Sequence, residues 1–198
     1  MTTFGLSYDY RCPFAKNIHL HVLAALAAGA DFEVEFIPWT MSQGHRAPGA
    51  PDVWNDSAKD PALLALAVSV SVRDEQPELF FAAHEALFCA RHERAIRLAT
   101  MEEISGVLAT LGVDMDKVGA DVTSRRPHRV IGENFHAMQA YEAFGVPTFV
   151  VDSDATFVRY MNPPTGDGLA SAKIIESLVT LMAGQPELNE FKHTRVAN

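Results

Sequence analysis

Cysteine is scarce in this sequence: Cys12 and Cys89 are the only two. A disulfide framework is therefore excluded as the basis of the fold, and each thiol must be asked whether it reacts or packs. Positive charge is scarce as well. The chain carries 16 Lys and Arg against 25 Asp and Glu, a formal net charge of −9. That balance disfavours nucleic acid and anionic membrane surfaces as partners. No uninterrupted apolar run reaches the roughly 20 residues a membrane-spanning helix needs. The start, Met1-Thr2-Thr3-Phe4-Gly5-Leu6-Ser7, lacks the basic stretch and apolar run of a secretory signal. A soluble, cytoplasmic protein is expected. A Gly-rich phosphate loop, a Gly-x-Ser-x-Gly elbow and a His-Glu-x-x-His pair are all missing, so neither a bound nucleotide nor a serine hydrolase is expected.

What is present is ordinary globular composition, 48% apolar and 21% charged over 198 residues. That is enough for one domain, or a domain carrying a large insertion. Phe4, Leu6 and Tyr8 alternate with smaller residues and predict a strand. Asp9-Tyr10-Arg11-Cys12-Pro13 follows. Proline is favoured at the first position of a helix, which places Cys12 at the N-cap. That helix runs to Gly29, a C′ residue. Phe32-Glu33-Val34-Glu35-Phe36 alternates strictly and predicts a second strand, ended by Pro38. A β-α-β opening with a crossover helix implies parallel strands. Gly44, Pro48, Gly49 and Pro51 mark a loop. Helices are predicted from Asp60 to about Arg73, from Pro77 through Phe88, from Met101 to Leu111 and from Asp114 to Ser124. Another is predicted from Val130 to Phe144, ending at Gly145. A hairpin follows, made of Gly145 to Val151, a turn at Asp152-Ser153-Asp154, and Thr156 to Tyr160. Leu169 to Ala183 is the last amphipathic helix, with a polar tail after it.

The order is β-α-β, a helical block, then α-β-β-α. With Cys12-Pro13 at the first helix start and Val146-Pro147-Thr148 before the third strand, it resembles the thioredoxin fold of the DsbA-like family. The resemblance covers nearly the whole chain. It is carried by Tyr8 to Pro13, Glu35-Phe36-Ile37-Pro38, the Leu79 to Cys89 helix and Gly145 to Val150. It looks closest to the subgroup of polyketide-associated DsbA-like proteins and hydroxychromene-carboxylate isomerases. The tail Glu190-Phe191-Lys192-His193-Thr194-Arg195 is similar to that of mycothiol-linked members. The resemblance implies an α/β thioredoxin domain over 1–52 and 128–198, with a helical insertion domain over 53–127. It also implies that Pro147 is cis and faces the cysteine.

Chemistry centres on Cys12. The thiolate is the nucleophile, and the free N–H groups and dipole of a helix N-terminus stabilise it. Arg11 and Lys16 add positive potential, and Asp9 opposes them, so Cys12 is expected to be partly ionised at neutral pH. Dithiol members of the family carry Cys-Pro-x-Cys, whereas this chain has Ala15 where the resolving thiol would stand. Monothiol chemistry remains: a mixed disulfide resolved by an external thiol, or a sulfenic acid that is recycled. The expected co-substrate is a low-molecular-weight thiol such as mycothiol or glutathione, with no bound cofactor. Substrate contacts are expected from Pro13, Phe14, Val146, Pro147 and Thr148. Trp39, with Met41 and Trp54, either lines an apolar pocket or packs in the core.

Cys89 lies among apolar helix residues and either resolves Cys12 or packs. His84, Glu85, Cys89, His92 and Glu93 invite a metal reading, but a four-ligand spacing is missing, and no metal is expected. Arg91, Arg94 and Arg97, and separately Arg125, Arg126, His128 and Arg129, are locally basic. Ion pairs with the excess acids explain them, and a substrate carboxylate is the alternative. Three functions remain in view: a single-cysteine thiol–disulfide oxidoreductase, a thiol-dependent isomerase or kappa-type glutathione transferase, and a non-catalytic peptide-binding protein. Either a monomer or a homodimer is compatible with the sequence.

Overall fold

The computed structural model describes residues 1–194. Arg195, where the tail segment Glu190–Arg195 ends, lies outside the described residues. Strand β1 (Thr2–Tyr8) is buried from Phe4 onward on both faces, as a strand in the middle of a covered sheet must be. It pairs in parallel with β2 (Phe32–Pro38), Leu6 opposite Phe36, and antiparallel with β3 (Thr148–Val151), Leu6 opposite Phe149. Strand β4 (Asp154–Phe157) closes the other edge, giving the order β2-β1-β3-β4.

Between β1 and β2 runs α1 (Pro13–Ala27), with Cys12 in extended conformation at its N-cap. Gly29 takes φ +86°, the left-handed turn that ends this helix and that a side chain would resist. Helix α1 packs against α7 (Gly168–Gly184) and α3 (Pro77–His92), so it is covered nearly all round. Its polar residues are therefore buried, and each has a partner. Asn17 Nδ2 donates to the carbonyls of Tyr160 and Met161, and His21 bonds Ser171 Oγ and the Asn162 carbonyl.

The central block contains α2 (Asp60–Glu75), α3, α4 (Met101–Leu108) and α5 (Met115–Thr123), and α6 (Arg126–Gln139) follows it. Helix α2 touches α3, α5 and α6. The indole of Trp54 lies on Gly132 of α6, where a Cβ would stand 2.7 Å from Nε1.

Two element bounds differ from expectation. The helix predicted over Val130 to Phe144 runs from Arg126 to Gln139. Arg125 is left-handed (φ 65°) and Pro127 lies in the first turn, so the start comes earlier than apolar periodicity suggests. The end comes earlier because Glu142, a non-glycine residue, adopts φ 54°. Position 128 therefore falls inside α6. The hairpin is also tighter than predicted. Val151 pairs with Asp154 across a two-residue turn, and β4 ends at Phe157.

Candidate active site

Cys12 caps α1 at the carboxyl end of β1, where the Cys12 N–H donates to the Asp9 carbonyl at 2.9 Å. Its thiol is 9% exposed and donates to the Val146 carbonyl at 3.2 Å. The Val146–Pro147 peptide is cis. Thr148 follows, its N–H donating to Ser7 Oγ at 2.8 Å and its hydroxyl to the Gly145 carbonyl at 2.8 Å. Cys12, Val146, Pro147 and Thr148 are thus brought together. Pro13 is exposed and Phe14 half-buried beside them. Ala15 is fully buried in the first turn of α1.

The expected ionisation is corrected. Burial pushes the Cys12 thiol up. The backbone N–H groups of Ala15 and Phe14 pull the other way, Asp9 adds to the rise, and Arg159 opposes it. The helix start was legible in the sequence and the facing Pro147 was implied by the resemblance, but the depth of burial at Cys12 was not foreseen. Nor do the neighbouring cations act as expected. Arg11 closes its guanidinium on Asp9, with further bonds to Thr40 and Ser42. Lys16 pairs with Glu93 at 2.6 Å.

Trp39 packs in the core. It is 4% exposed and stacks on Phe135 of α6 at 5.2 Å between centroids. Trp54 packs on the same ring. Both are core residues, whereas Met41 is exposed.

Beneath the site, His84, one of the residues that suggested a metal, belongs to a hydrogen-bonded chain instead. Tyr10 Oη lies 2.7 Å from His84 Nδ1, His84 Nε2 lies 2.9 Å from His19 Nδ1, and His19 Nε2 lies 3.2 Å from the Ser7 carbonyl. A carbonyl can only accept, which settles every tautomer in the chain. His19 donates through Nε2 to Ser7, His84 donates through Nε2 to His19, and the Tyr10 hydroxyl donates to His84. Burial holds both histidines neutral, His19 lowered from 6.5 to about 3 and His84 well below its ordinary value. His92 Nε2 donates to the Tyr10 carbonyl at 2.8 Å. Among the described residues, no three His, Cys, Asp or Glu side chains converge on a metal site. Cys89 is a free thiol on α3, pushed up by burial and then by Glu93 and Glu85.

Sequence reasoning missed Ser7, which joins the two halves of the site, and Arg159, whose guanidinium lies over the Phe14 ring at 5.0 Å and the Phe157 ring at 5.8 Å. The available signal for Arg159 was a basic residue inside the second hairpin strand predicted over Thr156 to Tyr160.

Solved structures with this architecture come from several bacteria. A probable DsbA oxidoreductase from Streptomyces coelicolor is 16% identical, with 99% of this chain and 94% of that one aligned at a TM-score of 0.64. The cytosolic disulfide reductase DsbM from Pseudomonas aeruginosa, solved with GSH, is 16% identical over 90% of this chain and 100% of that one, with a TM-score of 0.63. MdbA, a thiol–disulfide oxidoreductase from Actinomyces oris, is 17% identical over 90% and 79%, with a TM-score of 0.61. At such identities these likenesses show the fold. No curated protein matches the chain. A cysteine at the start of α1 facing the Val146–Pro147 segment, on a β2-β1-β3-β4 sheet with a helical block between its halves, agrees with the family model that matches residues 5–161, and the chain belongs to the DSBA-like thioredoxin domain family.

Proposed function

We propose that the protein is a cytoplasmic thiol–disulfide oxidoreductase that works through Cys12 alone and an external low-molecular-weight thiol. The observation that carries this reading is the pairing of the helix-start thiol with the Val146–Pro147 segment, while the fourth position of the turn is a buried alanine. Cys12 loses its proton to solvent as its bond to the Val146 carbonyl breaks. The thiolate attacks one sulfur of a disulfide RS–SR. A Cys12–S–S–R bond forms and RS⁻ leaves. A second external thiolate then attacks the R sulfur, forms a new disulfide with it and releases the Cys12 thiolate. Ala15 has no sulfur with which to intercept that intermediate, so it persists until the second thiol arrives. The backbone N–H groups of Phe14 and Ala15 stabilise the thiolate in both its attacking and its leaving role.

Pro13, Phe14, Val146, Pro147 and Thr148 form the substrate edge in this reading, and Trp39 supports it from the core. Residues 53–127 act as a helical insertion domain that shapes access. That the similar Pseudomonas aeruginosa reductase was solved with GSH supports a small thiol as co-substrate.

The test is thiol-dependent reduction of a small disulfide by wild type, Cys12→Ser and Cys89→Ser. Turnover lost in Cys12→Ser and retained in Cys89→Ser is expected. Thiol-dependent turnover that survives Cys12→Ser would overturn the reading in favour of an isomerase or transferase. No turnover in wild type would leave a binding protein.

A further inference from the structure

Most cations near the thiol are spoken for. Arg11 is closed on Asp9 and Lys16 on Glu93. At the start of α6, Arg125 is engaged by Asp60 and Arg126 by Asp74 and Asp121, while Arg129 bonds the Ser124 carbonyl. Arg159 differs. It is exposed, and no carboxylate lies within ion-pair distance of it among the described residues.

Its position is nevertheless held from both sides. The Val158 N–H donates to the Pro147 carbonyl at 3.1 Å, which ties the chain to the proline segment facing Cys12. Asn17 of α1 holds the carbonyls of Tyr160 and Met161 at 3.2 and 2.7 Å. Between these anchors the guanidinium lies over Phe14, two residues after Cys12, and over Phe157. No hydrogen-bond acceptor engages this guanidinium among the described residues, so its N–H groups can take a carboxylate through two hydrogen bonds. Arg91, Arg94, Arg97 and Arg129 also meet no carboxylate among the described residues; what sets Arg159 apart is its place over Phe14, two residues from Cys12.

We propose that Arg159 anchors a carboxylate of the thiol that exchanges with Cys12, so that the site prefers an anionic co-substrate. This rests on the reading of Cys12 as the exchanging thiol. It also separates the two co-substrates left open above. Glutathione carries two carboxylates and mycothiol carries none, so the site fits the glutathione class.

The test compares mixed-disulfide formation at Cys12 with glutathione disulfide, which is anionic, and with bis(2-hydroxyethyl) disulfide, which is neutral. Rates are followed by intact mass in wild type, Arg159→Met and Arg159→Lys. The ratio of the two rates cancels any effect of Arg159 on the thiol itself. That ratio is expected to fall about tenfold in Arg159→Met, the order of a charge-assisted pair at a part-exposed site, and to recover in part in Arg159→Lys. The esterified glutathione disulfide should show no such dependence. A ratio unchanged by Arg159→Met overturns the inference and leaves the exchange chemistry standing. A wild-type Cys12 that reacts with neither disulfide removes the exchange reading itself, and the inference with it.

Discussion

Two neighbouring regions of this molecule treat polar groups in opposite ways. Under the sheet end, Tyr10, His84, His19 and Ser7 form a closed chain in which each donor meets one acceptor. Above it, at the rim, Cys12 rests on a single carbonyl and Arg159 meets no carboxylate among the described residues. Partners are abundant where the groups hold structure and sparse where a ligand would supply them. Removing a group from the closed region should therefore cost stability, whereas removing one from the rim should cost chemistry.

The largest stability loss is expected from His84→Ala. It leaves the Tyr10 hydroxyl and His19 Nδ1 buried without partners, a cost of about 3 kcal/mol in denaturant unfolding. A loss under about 1 kcal/mol would mean that the chain is not closed as described. Acid is the next lever. Burial lowers His19 from 6.5 to about 3, so below pH 6.5 the unfolded chain takes up a proton that the folded chain refuses. Stability is fully present above that pH and falls as pH drops toward 3, by about 1.4 kcal/mol per unit for each such histidine. Urea midpoints that stay flat between pH 6.5 and 5 would contradict this.

Among the arginines, Arg126→Ala should cost about 1 kcal/mol, because it releases both Asp121 and Asp74. Arg159→Met should stay within about 0.5 kcal/mol of wild type. Equal losses would erase the contrast between structural and available charge. The smallest effect concerns the thiol itself. Its alkylation by iodoacetamide should still be rising above pH 8.5, since burial raises it, and Arg159→Met should raise it further. A plateau reached below about pH 7 would reverse the sign found here.

The sequence carried the element order, the parallel β1–β2 pair and the N-cap position of Cys12, because strand alternation and a proline at a helix start are local signals. What it hid was of two kinds. Left-handed backbone at Arg125 and Glu142 is invisible without a glycine to mark it, so the bounds of α6 were misplaced. Long-range pairing was equally hidden. Nothing local says that Arg11 closes on Asp9 or that Trp39 stacks on Phe135. The expected thiolate failed for that reason. The helix terminus was read correctly, while the larger influence is the burial of the thiol.

The most direct test of the account is to map the thiols after a single oxidation by glutathione disulfide, using peptide mass spectrometry without reduction. The account predicts one glutathione per chain, on Cys12, with Cys89 free and the adduct removed by added thiol. A Cys12–Cys89 disulfide, or glutathione on Cys89 with Cys12 untouched, would contradict it.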